Sequence, residues 1–241
     1  MAISTNLLAW LRSVKPRRAM ALLLLLLPLT VGAQTVRDMW LSMPPSFAPY
    51  LSASLRTQCL DFYDMHADAQ TDNALKGKSR IDTLTSTFLA ATLSKAHTLQ
   101  MKLLPAAGSA SGSGSASGSG SASVSGSSLS SCDSVLCVVR SWDGPKRDSE
   151  VQLFDRQWKP VQAPLTFSAD SFVCRPDTMS EERFSRLVAL LDPIMFSVSL
   201  SPTDNVLLVK LSPVVPNPDD EKAIEQILVQ RKLKWDGKTF K

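Results

Sequence analysis

The chain reads as an α+β protein: a single domain with an antiparallel β-sheet built of hairpins and helices packed on one face. Two observations predict this. Several segments alternate apolar and polar residues with a period of two, Thr98 to Leu104 being the clearest, and turn signals such as Asp143-Gly144-Pro145 and Asp236-Gly237 join neighbouring segments. Helical periodicity occurs in separate stretches, without the strict strand–helix–strand alternation of a parallel sheet.

The first element is a leader. Arg12, Lys15, Arg17 and Arg18 precede an apolar run from Ala19 to Leu29 that contains the leucines Leu22 to Leu27. Val31 and Ala33 place small residues at −3 and −1 of a cut before Gln34. This is the layout of a cleaved secretory signal peptide over 1–33, with cleavage between Ala33 and Gln34. The run falls short of the roughly 20 apolar residues that span a bilayer. The expected address is the periplasm or the extracellular space, with no integral membrane segment after signal removal.

Export also changes the charge. The chain carries 26 Lys+Arg against 22 Asp+Glu, and residues 1–33 hold four of the bases and none of the acids. The mature chain is neutral, so electrostatics give no case for a nucleic-acid partner.

The mature domain is expected over 34–241. Val36 to Ser42 reads as a short helix carrying Met39, Trp40 and Met43, stopped by Pro44-Pro45. Ser46 to Leu51 reads as a further helical turn. Leu55, Cys59, Phe62, Tyr63 and His66 recur at helical spacing, which predicts a helix over 53–67. Residues 73–78 form a loop, and strands follow at 81–84, 87–93 and 98–104. In the last of these Leu99, Met101 and Leu103 face the core, while Thr98, Gln100 and Lys102 face water.

A low-complexity insertion of Gly, Ser and Ala occupies 106–131, repeating Gly-Ser-Gly-Ser-Ala-Ser at 112–117 and 118–123. Too little apolar surface is available there to offset ordering entropy, which predicts a disordered loop between strands. Val135 to Trp142 and Glu150 to Asp155 then form a hairpin. Ser180 with Glu181 and Glu182 opens a helix whose stripe is Phe184, Leu187, Val188 and Leu191. Strands follow at 196–200 and 207–211, and a helix over 219–229. A terminal hairpin turns at Asp236-Gly237, with Trp235 opposite Lys238 and Leu233 opposite Phe240.

Several stretches resemble a known family. They are Ser42-Met43-Pro44-Pro45-Ser46-Phe47-Ala48-Pro49-Tyr50-Leu51, Arg56, Leu60 to Asp64, Gly77-Lys78-Ser79, Met101 to Pro105, Val135 to Trp142, Glu150 to Trp158 and Trp235 to Lys238. Their order and spacing are similar to domain of unknown function 3256, a family of exported proteins of Bacteroides- and Prevotella-type bacteria. The resemblance implies one exported α+β domain, and implies no activity, cofactor or catalytic residue.

The residues themselves point to little chemistry. The pattern holds no His-Glu-x-x-His, no nucleophile elbow and no complete dinucleotide glycine motif, so no cofactor, metal or catalytic site is predicted. Cys59, Cys132, Cys137 and Cys174 allow two disulfides in three pairings, or free thiols. Asp61, Asp64 and His66 are the one cluster able to do acid–base work or bind a cation; the plainer reading is a solvated helix face. Trp142 and Trp158 are polar-flanked rings that could form a ligand platform.

The expected role is therefore a non-catalytic binding or structural module of unknown function, receiving a protein or a glycan on its open sheet face. Two alternatives stand beside it. One is a hydrolase-type enzyme with a site assembled from scattered residues; the other is a protein inhibitor gripping through the open face. A pocket of converging polar groups would favour the enzyme.

Overall fold

The computed structural model describes residues 34–107, 134–161, 165 and 167–241. The expected leader, most of the Gly/Ser/Ala insertion and Cys132 lie outside the described residues. Among the described residues no helix is long and apolar enough to cross a membrane.

Helix α1 (Val36–Leu41) starts in a capping box. Thr35 Oγ1 accepts from the Asp38 amide, and the Thr35 amide donates to Asp38 Oδ2 at 2.7 Å. Residues 46–51, expected to be helical, form turns instead, with Phe47 donating to Pro44 O and Leu51 to Ala48 O. Prolines 44, 45 and 49 remove the amides a helix would need. Helix α2 (Ala53–Asp64) is capped by Ser52. Its buried face is Arg56, Cys59 and Leu60, one position off the expected stripe.

Six strands form an antiparallel meander in sequence order: β1 (Thr71–Asp72), β2 (Lys78–Leu84), β3 (Phe88–Ser94), β4 (His97–Pro105), β5 (Ser134–Asp143) and β6 (Arg147–Phe154). A 3₁₀ turn, Ala169–Phe172, leads to helix α3 (Glu181–Ala189), which Ser180 caps as expected. A second sheet of three strands is built from β7 (Phe196–Leu200), β8 (Val206–Leu211) and β9 (Arg231–Lys234), with helix α4 (Pro218–Glu225) between β8 and β9. Helix α4 stops four residues before its expected end, and Ile227 and Leu228 pack in the turn beyond it.

The α+β class holds, but neither face of the large sheet is open along its whole length. Helices α1 and α2 cover one side, over Leu89, Leu93, Leu99, Met101, Leu136 and Val138. The second sheet, α3 and α4 cover the other, over Phe88, Leu104, Val135, Cys137, Val139 and Leu153. The side chains expected to face water on β4 are the reason. Edge strand β7 lies against that face. Its Leu200 amide donates to Gln100 Oε1 at 2.8 Å, its Val198 amide to Ser149 Oγ at 3.1 Å and its Phe196 amide to Asp148 Oδ1 at 3.4 Å. Lys102, 2% exposed, donates from Nζ to the carbonyls of Ser201, Pro202 and Asp204 at 2.6, 3.1 and 2.8 Å. Burial lowers the Lys102 pKa, and the Asp204 carboxylate pulls the other way. An edge strand with bare amides is thus satisfied by polar side chains of a neighbouring sheet. A protein or glycan partner on this face is excluded by that packing.

The terminal hairpin is shifted by one residue from its expected register. Trp235 bridges Phe240, and the Asp236 amide donates to Thr239 O at 3.0 Å, so Gly237 and Lys238 are the central residues. Asp236 Oδ1 decides this by accepting from the amides of Lys238 and Thr239, and Gly237 supplies the positive φ of 97° at the first central position. The turn also closes on the start of the insertion: Ala107 donates to Gly237 O, and Trp235 Nε1 donates to Pro105 O at 2.7 Å. Phe240 is buried in the core shared with β8. Phe240→Ala is expected to cost about 1–3 kcal/mol in urea melts, less than a central aromatic because a terminus relaxes. A change near zero would put the hairpin outside the folded unit.

Candidate binding surface

The acid–base cluster does not assemble. Asp64 forms a bidentate pair with Arg37, whose Nη1 and Nη2 donate to it at 2.7 and 2.6 Å. That pairing holds the Asp64 carboxyl below its ordinary range, and ties α2 to α1. Asp61 is exposed. His66 lies beyond the helix end at φ 52° and is also exposed. No hydrogen bond links the three. A hollow of about 360 Å³ does lie beside His66, lined by Phe62, Tyr63, Asp68, Arg80 and Asp82 among others. Three of its polar groups are paired: Arg80 with Asp82 at 2.7 Å, Asp82 also accepting from Thr92 at 2.7 Å, and the Tyr63 hydroxyl accepting from the Leu84 amide at 3.1 Å, while His66 and Asp68 are exposed. Paired side chains do not converge on a reacting atom.

The other groups of catalytic type also hold the fold. Arg56 donates to the carbonyls of Leu51 and Leu41, and its own carbonyl accepts from Trp40 Nε1 at 3.0 Å. Cys59, Cys137 and Cys174 are free thiols, so the two-disulfide arrangement is not formed. Complete burial pushes the Cys137 thiol far above its usual range, which leaves it inert. Among the described residues no group of His, Cys, Asp and Glu is placed to hold a metal ion.

The two tryptophans part company. Trp158 is 8% exposed, sits at φ 62°, donates from Nε1 to Ser42 Oγ at 3.3 Å and packs on Phe47 and Phe154. It belongs to the core. Trp142 is 40% exposed at the end of β5. Strand register places His97 of β4 directly across from it, and the two rings stack with centroids 5.2 Å apart and planes 9° from parallel. The Arg140 guanidinium lies 5.5 Å from the Trp142 ring and 5.2 Å from that of Phe47. Arg140 also donates to Glu150 Oε2, and Gln152 donates to Glu150 Oε1, both at 2.5 Å. Tyr50, Phe47, His97, Trp142, Arg140, Glu150 and Gln152 thus make one contiguous, mutually braced strip on the helix-bearing side, beyond the edge of the helices.

His97 is the buried back of this strip. Its Nδ1 is hydrogen-bonded to the Tyr50 hydroxyl, while Nε2 is buried without a partner. Burial first, and the Arg140 charge second, lower its pKa below the ordinary 6.5. The folded state therefore binds fewer protons than the unfolded chain once the pH falls below 6.5. Stability present above that pH declines toward the folded pKa, by at most about 1.4 kcal/mol per pH unit for one proton. His97→Phe keeps a ring against Trp142 and removes the proton. Urea melts at pH 7.5 and 5 are expected to show a smaller loss for the variant than for the parent protein. Equal losses would assign the acid sensitivity to carboxylates instead.

The family model described as "Protein of unknown function (DUF3256)" matches residues 28–111 and 118–240. The chain belongs to the DUF3256 family. The interruption between the two matched stretches falls inside the Gly/Ser/Ala insertion. No curated protein matches the chain. Among solved structures, the chain is similar to a domain of an uncharacterized protein from Porphyromonas gingivalis W83, at 21% identity and a TM-score of 0.62, covering 87% of this chain and 99% of that one. At that identity the likeness concerns the fold alone. Membership in DUF3256 brings no reaction, ligand or partner with it.

Proposed function

We propose that this DUF3256 member is an exported, non-catalytic module that binds a partner in the periplasm or outside the cell, through the strip around Trp142. One observation carries the reading. The buried Lys102 and Arg56 are consumed in holding the fold, whereas Trp142 stands in the open, stacked on His97 and beside Arg140. A large ring ordered in advance loses little entropy on binding, and exposed aromatic patches mark contact sites. Export is supported by the leader of 1–33.

Two readouts on the native organism test this. Intact mass of the protein from the cell envelope or medium is expected to begin at Gln34, allowing for cyclisation of that residue. A retained leader, or a lipid adduct, would overturn the address. In a strain lacking the gene, selected under conditions where that loss gives a growth defect, Trp142→Ala is expected to fail to restore growth, while the triple variant Asp61→Asn, Asp64→Asn, His66→Gln restores it. Failure of the triple variant with a folded circular-dichroism spectrum would move the function to the helix face and revive the enzyme reading.

A further inference from the structure

We propose that the Trp142 strip takes a neutral oligosaccharide. The inference rests on the binding reading above and names its ligand. The chemistry of the strip is of two kinds at once. Trp142, 40% exposed with one side stacked on His97, offers its uncovered ring surface to the C–H face of a sugar, and the half-buried Phe47 and Tyr50 adjoin it. Arg140, Glu150 and Gln152 lie alongside on neighbouring strands, with Arg140 directly across from Glu150. These planar groups keep donors and acceptors beyond those used in bracing one another, and paired donors and acceptors match vicinal hydroxyls.

Charge selects the class. Arg140 and Glu150 neutralise each other at 2.5 Å, and the further charged residue bordering Trp142, Asp148 directly across from it, is acidic, so the strip holds no free cation with which to select an anionic ligand. A neutral, hydroxyl-rich ligand satisfies these groups without displacing the ion pair. Order selects it too. The ring of Trp142 is fixed by His97, His97 is fixed by Tyr50, and Arg140 is fixed by Phe47, Trp142 and Glu150. Weak individual sugar contacts require such prior ordering to sum to useful affinity.

The test uses the chain from Gln34 to Lys241, which contains every described element. Neutral hexasaccharides of glucose, mannose, xylose and galactose are titrated against ¹⁵N-labelled protein, with hexagalacturonate as the anionic control. The indole N–H signal of Trp142 is assigned by its loss in Trp142→Phe. The expected result is a shift of that signal with at least one neutral sugar and none with hexagalacturonate. Trp142→Ala and Glu150→Ala are each expected to weaken binding by about tenfold or more, the second because it releases Arg140 and Gln152. Circular dichroism verifies that both variants fold. The proposal is overturned if no neutral sugar moves the Trp142 signal, if hexagalacturonate alone binds, or if Trp142→Ala binds as the parent does. A protein partner captured at position 142 without any sugar response overturns the glycan and leaves the binding reading standing. Silence of both overturns both.

Discussion

Lys102→Met is expected to destabilise the protein by about 2–4 kcal/mol in urea melts at neutral pH. The ammonium donates to three carbonyls of the β7–β8 turn from a position 2% exposed. Hydrogen bonds to a charged donor contribute about 1.5–3 kcal/mol each, and the relieved burial of a charge offsets part of that sum. Met keeps the stem and its packing, so the loss reports the ammonium. Because the turn is exposed, water reaches the vacated carbonyls, which limits the cost. The damage is local in kind: hydrogen exchange at the amides of Phe196, Val198 and Leu200 is expected to speed up more than exchange in β3. A loss below about 0.5 kcal/mol would mean that the second sheet is held by its apolar core alone.

Trp40→Ala is expected to cost about 3–5 kcal/mol, the largest effect of any change considered. Trp40 is fully buried between α1 and the large sheet. Its indole N–H also satisfies the carbonyl of Arg56, whose side chain in turn bridges Leu51 and Leu41. Trp40→Phe separates the two contributions, since it retains most of the ring and loses the hydrogen bond; about 1–2 kcal/mol is expected there. Equal losses for the two variants would assign the whole effect to the polar contact.

Much of the fold was legible along the chain. Of the nine strands among the described residues, seven, β2 to β8, match strands expected from alternation and turn signals, β9 matches an arm of the expected terminal hairpin, and Ser180 marked α3 without ambiguity. What misled was the meaning of polarity on β4. Gln100 and Lys102 alternate with apolar residues as water-facing side chains do, yet they serve the edge amides and turn carbonyls of another sheet. One signal did point the other way. Val135 to Val139 are apolar without alternation and are all buried, the mark of a strand covered on both faces. Arg56 was hidden for a related reason: a buried guanidinium on carbonyls cannot be told from a solvated one by spacing. Nor could the terminal register be read from Asp-Gly alone, because the Asp236 side chain chose Gly237 and Lys238 as the turn.

The candidate site was legible only in part. Trp142 was visible as a polar-flanked ring, and Trp158 looked the same until Ser42, Phe47 and Phe154 enclosed it. His97 gave no signal in sequence, since its role arises from a cross-strand neighbour and from Tyr50 far along the chain. The Asp61–Asp64–His66 spacing was real, but Arg37 comes from another helix and takes Asp64 out of the group.

The measurement that tests this account most directly is photo-crosslinking in the native cell. A benzophenone amino acid is placed singly at 142, 61 or 66 in the exporting strain, and adducts are resolved by mass. The account predicts adducts from position 142, and none from 61 or 66. Adducts confined to 61 or 66, with position 142 silent, would contradict it.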